Sequence, residues 1–107
     1  MSVREIDVTE LARWRSEDRA FVLLDVREPD EIAKAAIEGA VLIPMSRLTE
    51  RIAELDPSAE TAVLCHHGGR SAMVADYLDD AGFTSVANVD GGIDAYAKLV
   101  DPSIGRY

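Results

Sequence analysis

Short apolar runs rich in β-branched residues alternate along this chain with segments whose apolar residues recur every three or four positions, and that alternation permits few architectures. It is the written form of repeated βα units wound around a parallel sheet, so the fold class is α/β. Phe21-Val22-Leu23-Leu24, Val41-Leu42-Ile43, Thr61-Ala62-Val63-Leu64 and residues 85–89 read as strands. A first helix is expected to begin near Thr9, capped by Asp7 or Thr9, with Leu11 and Trp14 turned inward as anchors. The turn-like residues 27–30 lead to a short helix over 31–35. Ser46 is placed to cap a helix whose Leu48, Ile52 and Leu55 share a core face before Asp56-Pro57 closes it. Val74, Ala75, Leu78 and Ala81 mark a helix closed by Gly82. Gly91-Gly92 then lead into a last helix through Ile93, Tyr96, Ala97 and Val100, ended by Asp101-Pro102.

A length of 107 residues suits one domain spanning 1–107, and a 48% apolar composition supplies a core without metal or disulfide staples. The formal charge of -9 repels phosphate backbones and anionic lipid surfaces, which argues against nucleic-acid and membrane partners. It also repels small anions, so any anion-handling site must carry its own positive potential. The lone cysteine excludes an internal disulfide. Charges at Arg4, Glu5, Asp7, Glu10 and Arg13 occupy the region where a secretory signal needs an apolar stretch, so the expected compartment is the reducing cytoplasm. No internal repeat is visible.

The chemistry concentrates in Leu64-Cys65-His66-His67-Gly68-Gly69-Arg70-Ser71, which puts the only thiol between a buried strand and the start of a helix. Open α/β sheets bind ligands at that edge. Unpaired N–H groups of a helix start and of a tight glycine-containing loop can converge there on one negative charge. Such surroundings lower a free thiol from about 8.5 to roughly 3.5–7.5, which makes a nucleophilic thiolate at neutral pH. Gly68 and Gly69 suit a loop that curls around a sulfur, because positive φ values and close backbone approach are costly with a Cβ. Arg70 meets the demand for local positive charge, His66 and His67 add partial charge, and Ser71 is placed to cap the helix. Cys65, His66 and His67 do not make a metal site, because adjacent residues rarely aim at one ion and no second ligand cluster exists. Asp25 and Arg27 read as an ion pair that fixes a loop, and Gly91-Gly92 as a helix start needing positive φ.

The segment from Cys65 to Ser71 resembles the active-site loop of rhodanese domains, a six-residue loop opened by the catalytic cysteine. Leu24-Asp25-Val26-Arg27-Glu28 with Glu31 resembles that family's upstream signature. Gly39-Ala40 through Ile43-Pro44 and Gly91-Gly92-Ile93-Asp94-Ala95-Tyr96 resemble two further family stretches, in the same order. Ala35-Ala36-Ile37-Glu38 departs from the common Gly-His-Ile-Pro, and Tyr96 stands where Trp is frequent. The resemblance implies a sheet of five mainly parallel strands with helices on both faces. It also implies a sulfurtransferase without a cofactor. Cys65 takes sulfane sulfur from a donor such as thiosulfate or a persulfide, and passes it to a thiol, cyanide or a sulfur-carrier protein, with ping-pong kinetics. His66, His67, Gly68, Gly69, Arg70 and Ser71 would form the substrate-binding and thiolate-stabilising loop.

Two other classes compete. A cysteine phosphatase or arsenate reductase needs a longer loop around a tetrahedral oxyanion than the four residues between Cys65 and Arg70, and arsenate reductases usually need further cysteines. A binding or regulatory module of the same fold usually lacks the thiol, which is present here.

Overall fold

In the computed structural model, which describes residues 3–107, five strands form one sheet: β1 (Val3–Ile6), β2 (Val22–Asp25), β3 (Val41–Leu42), β4 (Thr61–Leu64) and β5 (Val86–Val89). Their order is β1-β5-β4-β2-β3, and every neighbouring pair is parallel. The helices are α1 (Val8–Ser16), α2 (Pro29–Ile32), α3 (Leu48–Arg51), α4 (Gly69–Asp80) and α5 (Gly92–Leu99). This is the five-stranded α/β architecture that the resemblance implied, with the parallel arrangement complete.

The central strands β2, β4 and β5 are buried and mostly apolar because both faces of the sheet are covered. Leu23, Ala62, Leu64, Ala87 and Val89 face Val8, Leu11 and Trp14 of α1 and Ile93 and Tyr96 of α5. Leu24, Val63, Cys65 and Val86 face Leu48 of α3 and Val74, Ala75 and Leu78 of α4. Trp14 is a core anchor: it is fully buried, its Nε1 donates to Glu10 Oε2 at 2.9 Å, and the Arg19 guanidinium lies over its ring.

Several boundaries differ from the sequence expectation. The strand β1 escaped it, because Arg4 and Glu5 are exposed on an edge strand that pairs with β5 and break the apolar pattern. Asp7 caps α1 through Oδ1, which accepts from Glu10 N at 2.8 Å, so the helix starts at Val8. The helix expected over 31–35 is α2, shifted back to Pro29 because proline is pre-set for a first helical position and Glu31 Oε1 accepts from Glu28 N at 3.1 Å. Ser46 is not a cap: it lies in a 3-10 turn (Met45–Arg47) and its hydroxyl donates to the Glu28 carboxylate. The helix it was to open is the four-residue α3 and a second 3-10 turn (Ile52–Glu54), with Leu48 and Leu55 buried and Ile52 half-buried. The end of α4 agrees with expectation. Gly82, at φ +98°, closes it while Phe83 N donates to Leu78 O and Gly82 N to Asp79 O.

Two features of this topology shape the carboxyl edge of the sheet. The helices after the adjacent strands β4 and β5 leave on opposite faces, which opens a crevice between the carboxyl ends of those strands. At the same edge the end of β2 is locked by an ion pair whose two side chains are both 0% exposed: Arg27 Nη2 donates to Asp25 Oδ2 at 2.7 Å and Arg27 Nε to Asp25 Oδ1 at 3.0 Å. The Arg27 backbone N–H also donates to Oδ1, which supports the loop-fixing reading of this pair. Asp25→Ala would strand a buried guanidinium and is expected to lower stability by about 3–5 kcal/mol. A double Asp25→Leu, Arg27→Met variant, which removes both charges, should lose clearly less in urea unfolding.

Candidate active site

The fourth strand, β4, delivers Cys65 to the crevice, and the chain then turns through His66, His67 and Gly68 into α4. Gly68 has φ +114° and is the residue from which α4 begins. A Cβ there would meet Gly91 N at 3.3 Å. The turn aims donors inward: Gly68 N donates to Cys65 Sγ at 3.1 Å, the backbone amides of His67 and Ser71 also bond to it, and Ser71 Oγ lies 3.2 Å away. Burial is the strongest single influence on this thiol and pushes its pKa up. The Ser71 hydroxyl and the amides of Ser71, Gly68 and His67 together outweigh burial and bring it below the ordinary thiol value. The sulfur is also more enclosed than a strand end suggests, since Cys65 is 1% exposed.

A second helix start holds the outside of the turn. Ile93 N donates to Cys65 O at 2.9 Å and Asp94 N to His66 O at 3.0 Å, so the free N–H groups of α5 bind the loop's carbonyls while those of α4 bind its sulfur. Gly92 makes this approach possible. At φ +61°, a Cβ at that position would come within 2.4–2.5 Å of the His66 and Cys65 carbonyl groups.

The loop side chains divide into different roles. Gly69 does not have the positive φ and close approach expected of it: it is the first residue of α4, and among the described residues nothing lies within 4 Å of where a Cβ would stand. Ser71 lies within the first turn of α4 and does not cap it: its hydroxyl, fully buried, donates to Asn88 Oδ1 at 2.6 Å. Arg70 is not a free cation. Its two terminal nitrogens bond the two oxygens of Glu31 at 2.6 and 2.8 Å, which holds that carboxyl down at about 2 and raises the guanidinium further. Tyr107 OH donates to Glu31 Oε2 at 2.9 Å and accepts from Arg27 Nη1 at 3.1 Å, so the Asp25–Arg27 pair and the Arg70–Glu31 pair are joined through the tail.

The Tyr107 ring stacks on His66 with centroids 3.9 Å apart and planes 8° from parallel, and the His67 ring lies on His66 at the same separation. Among the described residues His66 Nε2 is buried without a partner and burial lowers the ring's pKa, so His66 contributes an uncharged wall where the sequence suggested partial charge. His66, His67 and Asp94 bring one potential ligand atom each within 4.8 Å of one another. Asp94 is, however, occupied by Arg106, whose Nε and Nη2 bond its two oxygens.

Sequence reasoning did not single out Asn88, Tyr107 or the Glu5 carboxylate, which accepts from Asn88 Nδ2 at 2.9 Å. Asn88 carried one available signal, a lone amide inside the apolar run Val86-Ala87-Asn88-Val89.

The Rhodanese-like domain profile matches residues 7–99. The chain is 42% identical to the Rhodanese-like/PpiC domain-containing protein 12, chloroplastic, of Arabidopsis thaliana, with 98% of this chain aligned; it spans 38% of that protein's length. It is 33% identical to a protein of Allochromatium vinosum named Sulfurtransferase, over 90% of each chain. A rhodanese-like domain protein from Staphylococcus aureus superimposes with a TM-score of 0.84 at 29% identity, over 97% of this chain and 98% of that one. A parallel sheet with a thiol cupped by main-chain amides at its carboxyl edge defines a class of cysteine-centred α/β domain. Within that class, this chain belongs to the rhodanese-like domain family.

The Arg70–Glu31 pair has a pH signature. Because the Glu31 carboxyl is held near 2 in the folded protein against 4.5 ordinarily, its stabilisation is complete above about pH 4.5 and disappears as pH falls toward about 2. Glu31→Gln should therefore be less stable than the parent at neutral pH, with the gap in urea midpoint closing over that acid window.

Proposed function

We propose that the protein is a sulfurtransferase in which Cys65 carries a sulfur atom as a persulfide. The observation that carries this reading is the convergence of the His67, Gly68 and Ser71 amides on Sγ itself, a cradle fitted to one sulfur rather than to the oxygens of a larger oxyanion. Its membership of the rhodanese-like family supports it.

In the first half-reaction the Cys65 thiolate attacks the sulfane sulfur of a donor such as thiosulfate. The Sγ–S bond forms, the donor S–S bond breaks, and the electron pair leaves with sulfite. In the second, an acceptor thiolate or cyanide attacks the outer sulfur, and the electron pair of the breaking Sγ–S bond returns to Cys65. A sulfur-carrier protein is a further acceptor class that this chemistry admits. Arg70, 35% exposed at its side chain, attracts the anionic donor while Glu31 fixes its direction. Because Cys65 is deeply set, the donor has to be narrow at its sulfur end, which thiosulfate and a persulfide both are.

Incubation with thiosulfate followed by intact-mass measurement should show the gain of one sulfur atom, removable by cyanide with release of thiocyanate and absent in Cys65→Ser. An unmodified mass across a panel of sulfur donors would sink the reading and favour a non-catalytic binding module, for which the burial of Cys65 is the supporting observation. Arg70→Ala should raise the thiosulfate KM about tenfold with a smaller effect on kcat, as expected when one charge-assisted contact is lost. An unchanged KM would confine Arg70 to its bridge with Glu31.

A further inference from the structure

The polar chain behind the sulfur has no proton to spare. Asn88 Nδ2 lies 2.9 Å from Glu5 Oε1 and 3.3 Å from Gly68 O, and a carboxylate and a carbonyl can only accept. The amide orientation is thereby dictated, and Asn88 presents Oδ1 to Ser71 at 2.6 Å. Ser71 Oγ has a single proton and must give it to Asn88, so toward Cys65 Sγ, 3.2 Å away, the same hydroxyl is an acceptor for the thiol proton. Cys65, Ser71 and Asn88 are 1%, 0% and 3% exposed, so solvent supplies no further donor when one is needed.

Deprotonation of Cys65 turns this order into a conflict. A thiolate needs a donor where Ser71 offers lone pairs, and Ser71 can supply one only by rotating its proton away from Asn88 Oδ1, leaving a buried acceptor unpaired. We propose that Asn88, oriented by Glu5, is a positioning residue that competes with the Cys65 sulfur for the Ser71 proton and so restrains how far the thiolate is stabilised. The proposal rests on the persulfide reading for its role in turnover. While the inner sulfur is a thiolate, before attack and again after release, the Ser71 proton turns to Sγ. While it is bonded to the transferred sulfur, the negative charge sits one atom further out and the proton returns to Asn88. A thiolate stabilised without limit would be a sluggish nucleophile, because nucleophilicity falls as a thiol becomes more acidic. A competing acceptor keeps the sulfur between the two extremes.

Other charges near this sulfur among the described residues are Arg70 on α4 with Glu31 on α2, His66 and His67 on the loop, Asp94 on α5, Glu5 on β1, and Asp25 with Arg27 at the end of β2. Glu5→Gln removes a negative charge as well as an anchor for Asn88, so the test has to separate a through-space effect from one relayed by the chain.

The readout is the pH dependence of iodoacetamide alkylation at Cys65, followed by mass; the chain has no other cysteine to confuse it. Ser71→Ala, which removes the donor, should move the midpoint up. Asn88→Ala, which frees the Ser71 proton for the sulfur, should move it down by about half a unit to one unit, equivalent to a roughly three- to tenfold larger thiolate fraction below the midpoint. Glu5→Gln, on an exposed residue, should also move it down, because a neutral amide oxygen anchors Asn88 Nδ2 less strongly than a carboxylate and so weakens the hold of Asn88 Oδ1 on the Ser71 proton. In a Ser71→Ala background, where the chain is cut, Glu5→Gln should do nothing. A Glu5→Gln shift that persists there is a plain charge effect and overturns the proposal, as does an upward or absent shift in folded Asn88→Ala. If Asn88→Ala does not fold, the Glu5 and Ser71 cycle decides alone. Alkylation does not require sulfur transfer, so a protein that gains no sulfur from any donor yet gives these shifts loses the functional reading and keeps the proton competition.

Discussion

The Cys65 sulfur is held in a contest between burial and hydrogen-bond donors, and the rest of the site exists to decide that contest. Burial at 1% exposure favours the neutral thiol, while three amides and a hydroxyl favour the thiolate. The amides act because they belong to the start of α4, where main-chain N–H groups have no helical acceptor. They stay aimed because a second helix start grips the loop from outside through Ile93 N and Asp94 N. Two helices leaving adjacent strands on opposite faces are what allow two such starts to meet around one residue.

An acidic chain has to make a local exception to hold negative charge, and around the sulfur this one makes it chiefly with backbone, while Arg70 stays bonded to Glu31 at the rim. The site cations are matched one to one: Arg70 by Glu31 and Arg27 by Asp25, while His66 is kept neutral by burial. What remains unmatched toward the sulfur is the set of main-chain dipoles, which cannot be neutralised by titration. The carboxylates serve to fix guanidinium direction, and Tyr107 ties the two pairs together and covers the His66 ring.

Legibility followed how locally each feature is encoded. The central strands β4 and β5 were readable because a strand covered on both faces reads as a nearly continuous apolar run, broken in β5 only by Asn88. The edge strand β1 was not, since Arg4 and Glu5 sit on its open side. The helix start at Asp7 and the helix end at Gly82 were written in single residues whose chemistry acts within one turn. Ser46 and Ser71 carry the same capping chemistry on paper, but each found a distant partner: Glu28 for Ser46, and Asn88 with Cys65 for Ser71. A hydroxyl near a helix start therefore signals a cap only when nothing across the fold competes for it.

The order of strand, cysteine, glycine turn and helix was settled by the sequence alone, because each step depends on residues within a few positions of one another: Gly68 must take a positive φ, and the first turn of α4 must leave its amides free. The tertiary structure decided everything that joins separated segments. It brought Glu5 to Asn88 across 83 positions, Tyr107 to Glu31 across 76, and Arg70 to Glu31 across 39. Such partners are chosen by strand order and by which helix covers which face, and neither is written in the neighbourhood of the residues that meet.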